Sequence, residues 1–305
     1  MNARVNHTAV RAVAILSLVA CSGGADLPML EPAMTGDTAG LVERGEYLVR
    51  SVAVCGHCHA ADPAEPDGPL SGGLAFRNWR LGTVRAANLT SDPLTGLGAW
   101  TDAEIAGAVR NGMDPDGRVL APVMPYAWLS GMSDRDGLAV ARYLKTLPPV
   151  RNAVRQDHNL IYAIGDLLFL GPARSPRPIA PQRAASAAYG EYLALHVALC
   201  ADCHTRRHGL RNEHDMEWLF AGNADPPAGF PANPSNITPE NSTGIGTWKE
   251  EDFLRTLRTG VTPDGRELNP FMPWRQYRRM TDDDLRAIYR YLRTVRPIVN
   301  SVPSR

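Results

Sequence analysis

Two short segments of this chain combine residues that could do chemistry. Each has the pattern Cys-x-x-Cys-His, at residues 55–59 and 200–204, and the two copies lie 145 residues apart. The spacing presents two thiols on one helical turn to the two vinyl groups of a haem, and it places the next histidine under the iron. We therefore predict two covalently bound haem c groups, held by four thiols and two proximal histidines: Cys55, Cys58, His59, Cys200, Cys203 and His204.

A structural zinc site or a redox-active dithiol is the alternative interpretation of a single Cys-x-x-Cys. The chain has five cysteines, and the two motifs leave only Cys21, near the amino terminus. No further pair is available to complete a zinc tetrahedron, the histidine recurs, and the two copies have matching surroundings. These features favour haem over zinc and over a dithiol.

The amino-terminal segment predicts export. Arg4 and Arg11 precede the apolar stretch 12–20, which indicates a signal peptide over residues 1–20 and not a spanning helix. The run Leu-Val-Ala-Cys resembles the lipobox of bacterial lipoproteins, which implies cleavage before Cys21 and a lipid on its sulfur, followed by a tether over residues 21–40. An ordinary signal peptide cleaved within 20–25 is the alternative. A lipid would hold the chain on the periplasmic side of a bacterial membrane.

Composition and charge restrict the partners. The chain has 305 residues and is 44% hydrophobic, as in globular proteins with room for two domains. Its 32 basic and 32 acidic residues give no net charge, which argues against nucleic acid as a partner. Lys145 and Lys249 are the only lysines, so a docking face made of a ring of lysines is excluded.

An internal duplication organises the chain. Gly-Glu-Tyr-Leu occurs at 45–48 and at 190–193, with the offset of the two haem motifs, and the later matches have an offset of 148. These later matches are Asn-x-Thr at 88–90 and 236–238, Gly-x-Gly-x-Trp at 96–100 and 244–248, Pro-Asp-Gly-Arg at 115–118 and 263–266, and Met-Pro at 124–125 and 272–273. We predict domains at 41–152 and 187–305, joined by a proline-rich connector at 153–186 with a short helix over 160–170.

Helical signals account for most of each repeat. Three helices are predicted in the first repeat: 42–54, 101–110 with the capping box Thr101 to Glu104, and 134–147. The second repeat matches them, with a middle helix from about Lys249 and a last helix capped by Thr281. No stretch alternates as strands do, so we predict an all-α fold, in which Gly45 and Gly190 let the first and last helices cross closely.

Each iron needs a second axial ligand, or it stays open for oxygen or peroxide chemistry. Met124 and Met272 occupy equivalent positions in loops, each followed by proline and flanked by aromatic residues, and we predict that they are these ligands. Met132 and Met280 are an aligned pair that competes for the role. They precede the caps of the last helices, where an apolar residue forms a hydrophobic staple, so we assign them to packing.

The chain resembles membrane-anchored dihaem cytochromes built from two tandem class I-type cytochrome c domains. Segments 236–248, 263–266 and 271–274 are similar to the cytochrome c subunits of bacterial membrane-bound alcohol, gluconate and aldehyde dehydrogenases. In that family the haems accept electrons from a catalytic subunit and pass them to quinone or a terminal oxidase. Those subunits commonly hold three haems, whereas this sequence has motifs for two, so a free-standing carrier also fits.

The resemblance implies a one-electron carrier between a dehydrogenase and a respiratory acceptor, without catalysis of its own. The alternative is a dihaem redox enzyme of the peroxidase or thiosulfate dehydrogenase type, and a sensor comes third. A peroxidase or a sensor needs an iron that can open, and the thiosulfate enzymes use a ligand such as cysteine. Here the two repeats are symmetrical and every cysteine has another role.

Overall fold

The computed structural model describes residues 38–78, 82–158, 180–208, 213–224, 226 and 232–303. The predicted signal peptide, the lipidation site Cys21 and the predicted connector helix at 160–170 lie outside these residues. In the part of the chain that is described, no helix is long and apolar enough to cross a bilayer.

Five helices form the framework of the first repeat. The predicted helix 42–54 is observed as α1, Thr38–Tyr47, continued by a π-helical turn at Leu48–Val52 that leads into the first Cys-x-x-Cys-His motif. The others are α2 (Gly56–His59), α3 (Asp102–Asn111), α4 (Tyr126–Leu129) and α5 (Asp134–Thr146). The predicted capping box is confirmed, because Thr101 accepts from the Glu104 amide while the Glu104 carboxylate accepts from the Thr101 amide.

The second repeat follows the same order of helices. They are α6 (Ala187–His196), α7 (Cys200–His204), α8 (Glu250–Thr259), α9 (Trp274–Tyr277) and α10 (Asp282–Leu292), with a 3₁₀ turn at Met216–Trp218. Thr281 caps α10 by accepting from the Asp284 amide, as Ser133 caps α5 by accepting from the Asp136 amide. The last helices of the two repeats therefore start in the same way.

Short strands correct the all-α expectation. Strands β1 (Ala75–Asn78) and β2 (Gly82–Arg85) are antiparallel, with Phe76 opposite Val84, and β3 (Asp157–His158) joins β2. A second pair consists of β4 (Arg207–His208) and β5 (Glu213–His214). Strands of two to four residues are too short to show alternation in the sequence. The fold is mostly helical with a few small strands.

The first and last helices of each repeat cross at a glycine, as the sequence predicts. A Cβ atom on Gly45 would lie 2.0 Å from the Ala139 carbonyl oxygen of α5. A Cβ atom on Gly190 would lie 1.8 Å from the Ala287 carbonyl oxygen of α10. No side chain fits at these distances, so glycine lets α1 contact α5 and α6 contact α10 through their backbones.

The two repeats also pack on each other, through a pair of reciprocal tyrosine contacts that the sequence did not predict. The Tyr47 hydroxyl donates to Asp284 at 2.6 Å and accepts from the Thr281 amide at 3.0 Å. In the same way, the Tyr192 hydroxyl donates to Asp136 at 2.8 Å and accepts from the Ser133 amide at 3.2 Å. Each repeat thus binds the first turn of the other repeat's last helix, and one apolar core runs through both.

Candidate functional site

Both Cys-x-x-Cys-His motifs are on short helices that follow a strained residue. Val54 has a φ of 45° and Leu199 a φ of 57°, and each directly precedes the first cysteine of its motif. Residues with a Cβ rarely adopt this conformation, and a β-branched valine least of all. Its recurrence at the same position shows that the tertiary structure imposes the turn that starts α2 and α7.

The four motif cysteines are half-buried and form no disulfide with one another. Burial raises the pKa of the Cys55 thiol to about 11 and the pKa of Cys58 and of Cys200 to about 12. The pKa of Cys203 is raised in the same direction, also by burial. A redox-active dithiol needs a lowered thiol pKa. Among the described residues no group of three or more His, Cys, Asp or Glu could hold a metal ion. The raised thiol pKa values argue against a redox-active dithiol.

The two motif histidines are oriented by backbone carbonyls. The Nδ1 atom of His59 lies 2.8 Å from the Ala87 oxygen, and Nδ1 of His204 lies 2.7 Å from the Ser235 oxygen. A carbonyl only accepts, so Nδ1 carries the hydrogen and the Nε2 lone pair is left free. Burial lowers the pKa of both imidazoles, which favours the neutral form. Metal-binding histidines have this arrangement, so these residues fit a haem iron.

The carbonyls that orient the histidines belong to the Asn-x-Thr loops. Asn88, next to Ala87, is buried, donates to the Val150 oxygen at 2.8 Å and accepts from the amide and hydroxyl of Thr90. The same bonds recur in the second repeat, where Asn236 donates to the Ile298 oxygen at 2.7 Å. The sequence showed this match between the repeats but not its role, which is to hold the loop at the histidine.

The predicted distal ligands occupy two equivalent Met-Pro turns. Met124 and Met272 are half-buried against the core, and the carbonyl of each accepts from the amide two residues later, at 2.8 Å and 2.7 Å. The competing methionines are different. Met132 and Met280 are 1% and 2% exposed and lie in the apolar core, as expected for residues that pack beneath the caps of α5 and α10.

The aromatic residue that follows each Met-Pro packs on a glycine that ends the preceding helix. Gly112, after α3, and Gly260, after α8, have φ values of 69° and 76°. A Cβ on Gly112 would lie 2.4 Å from the Tyr126 ring, and one on Gly260 would lie 2.5 Å from the Trp274 ring. Glycine is therefore needed at this position for two reasons: the backbone is left-handed, and the aromatic ring leaves no space for a Cβ atom.

Different charges surround the two motifs. Near the first, Arg50 donates to the Gly68 oxygen, and its charge acts against the rise of the Cys55 pKa. Within the second, Asp202 forms an ion pair with Arg207 at 2.7 Å. The charge of Asp202 contributes to the raised pKa values of both Cys58 and Cys203, so the carboxylate lies near a cysteine of each motif.

Comparisons with known proteins agree with this geometry. No family model matches the chain. The chain is 30% identical to a dihaem cytochrome c-type protein of Cereibacter sphaeroides, over 92% of this chain and 96% of that protein. The chain belongs to the dihaem cytochrome c family. This dihaem cytochrome carries two covalently bound haem c groups.

The dihaem cytochrome is also similar to parts of longer proteins. It is 30% identical to the gluconate 2-dehydrogenase cytochrome c subunit of Pantoea cypripedii, over 84% of this chain and 59% of that subunit. It is 31% identical to the alcohol dehydrogenase (quinone) cytochrome c subunit of Gluconacetobacter polyoxogenes, over 85% of this chain and 56% of that subunit. The chain therefore spans a little over half the length of these relatives.

Proposed function

We propose that this dihaem cytochrome carries single electrons from a dehydrogenase to a respiratory acceptor and has no substrate chemistry of its own. The observation that carries the proposal is the equivalence of the two sites. Each has a half-buried histidine bound to a loop carbonyl and a half-buried methionine in a Met-Pro turn. A peroxidase-type enzyme or a sensor needs one site that differs. The curated relatives named as dehydrogenase cytochrome subunits support the donor class.

The roles of the residues follow from their positions in the two repeats. Cys55 and Cys58 would form the thioethers to the first haem, and Nε2 of His59 and the sulfur of Met124 would ligate its iron. When bound, haem supplies an iron that changes its oxidation state by one electron. The thioether ligand raises the potential relative to a second histidine, and two firm axial ligands exclude substrate from the iron.

At the second site, Cys200 and Cys203 would form the thioethers, and His204 and Met272 would ligate the iron. Two tandem class I-type domains, 41–152 and 187–305, hold the two sites, and the connector 153–186 joins them. The strained turns before both motifs support this assignment, because the same left-handed residue precedes the first cysteine in each repeat.

The chain is anchored to the periplasmic side of a bacterial membrane through a lipid on Cys21. The leader pattern supports this part of the proposal, as does the occurrence of similar sequences in a quinone-linked dehydrogenase. Mass spectrometry of the protein isolated from membranes tests it. A mature amino terminus at Cys21 carrying acyl chains is expected, and cleavage within 22–25 without lipid would contradict the anchor.

Carbon monoxide binding to the reduced protein tests the carrier function and the ligands together. The wild type is expected to bind carbon monoxide only slowly at neutral pH, because an iron with six ligands must first release one of them. Met124→Ala and Met272→Ala should each open one haem. Met132→Leu, a change of nearly conserved volume in the core, is the matched control and should open none. Rapid binding to one wild-type haem would favour the enzyme, and an open site in Met132→Leu would identify a different ligand.

A further inference from the structure

Each Met-Pro turn begins a segment that packs against the opposite repeat. We call residues 123–133 the first distal segment and residues 271–281 the second distal segment. Their helices α4 and α9 have only four residues each and no side-chain hydrogen bond at the N-cap. Helices this short do not hold themselves together. The conformation of each distal segment therefore depends on its tertiary contacts.

The first distal segment is bound by the helix that leads into the second haem motif. Nδ1 of His196, at the end of α6 and four residues before Cys200, donates to the Trp128 oxygen at 2.9 Å. The backbone of Gly131 lies directly on the imidazole, where a Cβ would be 2.2 Å from Nδ1. The Trp128 ring also meets the His214 ring edge to face, with centroids 5.0 Å apart. All these partners come from the second repeat.

The second distal segment is bound by the region around the first haem motif. Arg279 donates to both carboxylate oxygens of Asp67, at 2.7 Å and 2.8 Å, and to the carbonyl oxygen of Arg50. Arg50 lies five residues before Cys55, in the π-helical turn. His57, inside the motif, meets the Phe271 ring edge to face at 4.6 Å. The arrangement mirrors that of the first distal segment, with different residues.

We propose that each distal methionine is positioned by the repeat that holds the other haem, in addition to the packing of Tyr126 on Gly112 and of Trp274 on Gly260 within its own repeat. His196 positions the first distal segment and thereby Met124, while Arg279, through Asp67 and the Arg50 carbonyl, positions the second distal segment and thereby Met272. The inference rests on the proposed axial ligands. It makes the axial ligation of one haem depend on residues next to the attachment site of the other, although each repeat contains a full set of ligands.

Proton NMR of the reduced holoprotein gives a direct test, because the methyl group of an iron-bound methionine is shifted far from all other signals by the haem ring current. Two such signals are expected in the wild type. Met124→Ala should remove one and Met272→Ala the other, which assigns them. If either variant leaves both signals, the proposed ligands are wrong. That result is distinct from a failure of the present inference.

His196→Leu and His196→Asn form the deciding pair. Leucine removes the donor to the Trp128 oxygen, whereas the Asn side-chain amide keeps a donor close to the position of Nδ1. In His196→Leu we expect the Met124 signal to weaken and carbon monoxide to bind one haem about tenfold faster, a factor equal to about 1.4 kcal/mol, which is the order of one hydrogen bond. His196→Asn should restore both values to within about twofold of the wild type. The Met272 signal is the internal control for folding.

Arg279→Gln tests the opposite direction at a more exposed site, where a failure to fold is not expected. It should weaken the Met272 signal and leave the Met124 signal unchanged. The proposal is overturned if His196→Leu leaves the Met124 signal intact, if His196→Asn behaves like His196→Leu, or if Arg279→Gln changes the signal of its own repeat and the opposite one equally.

Discussion

Asp136 and Asp284 occupy the same position in the two repeats but have different partners. Both are buried, at 6% and 4% exposure, and each accepts a hydrogen bond from a tyrosine of the other repeat. Asp136 also forms a two-pronged ion pair with Arg44, at 2.9 Å and 2.8 Å. The position equivalent to Arg44 in the second repeat is Tyr189, whose side chain is uncharged. The two repeats thus share the hydrogen bond from tyrosine to the buried aspartate, but only the first repeat has an arginine that pairs with this aspartate.

The segments between each haem motif and its Asn-x-Thr loop differ between the two repeats. The first repeat has the sheet β1 to β3 around this segment, and the second has the pair β4 and β5 with a 3₁₀ turn. In spite of this difference, both segments end with an equivalent backbone carbonyl, of Ala87 or of Ser235, which accepts a hydrogen bond from the motif histidine. The groups that would face the iron are kept, while the chain between them varies.

The helix crossings should show the largest effect, and an equal one in both repeats. Gly45→Ala and Gly190→Ala each place a Cβ about 2 Å from a backbone oxygen, where only a shift of the helices can relieve the overlap. We expect each to lower the free energy of unfolding by about 3 kcal/mol, the upper range for overpacking. Chemical denaturation of the holoprotein measures this.

Gly265→Ala is the control for these variants. It has open space around it and a φ of 83°, so it should cost only about 1 kcal/mol, from the left-handed backbone. A large loss for Gly45→Ala together with a small loss for Gly190→Ala would show that the two crossings are not equivalent.

The tyrosine contacts should show an intermediate and unequal effect. Tyr47→Phe leaves the buried Asp284 carboxylate without this donor and without an arginine at the position of Tyr189, so we expect a loss of about 3 kcal/mol. Tyr192→Phe leaves Asp136 paired with Arg44, and we expect about 1 kcal/mol. Denaturant titration at neutral pH measures both. Equal losses would mean that Arg44 does not compensate. Partial recovery in Tyr47→Phe combined with Asp284→Asn would confirm that the carboxylate causes the loss.

The smallest expected effect is a change in how the stability of the fold depends on pH. Hydrogen bonds from Thr243 and Ser242 lower the pKa of Glu240 to about 2, and those from Thr95 and Leu94 lower the pKa of the equivalent Asp92. A lowered carboxyl pKa stabilises the fold above the unfolded-state pKa and loses this contribution as the pH falls. For Glu240 the loss should extend from about pH 4.5 to about pH 2. Thermal melts measured across this pH range should show a melting temperature that depends less on pH in Glu240→Gln than in the wild type. An unchanged dependence would contradict the assignment.

Several features of the fold could be predicted from the sequence because they depend on local contacts. Caps such as Thr101 and Thr281 act within three residues, and a Cys-x-x-Cys-His turn places its own side chains. The glycine crossings could be predicted because the duplication showed the same glycine before each motif. The short strands could not, since two to four residues have no pattern of their own and pair only when the fold brings them together.

By itself, the sequence determined the two haem motifs, the two repeats, the order of helices and the pair of methionines that could complete the iron sites. Only the tertiary structure decided how the repeats meet: Tyr47 on Asp284, Tyr192 on Asp136, and each distal segment against the opposite repeat. Caps and motif turns join neighbours in the chain, so their spacing can be read directly. The contacts between repeats join residues some 60 to 240 positions apart, and their pairing is set by which buried faces and polar groups satisfy one another once both repeats have folded.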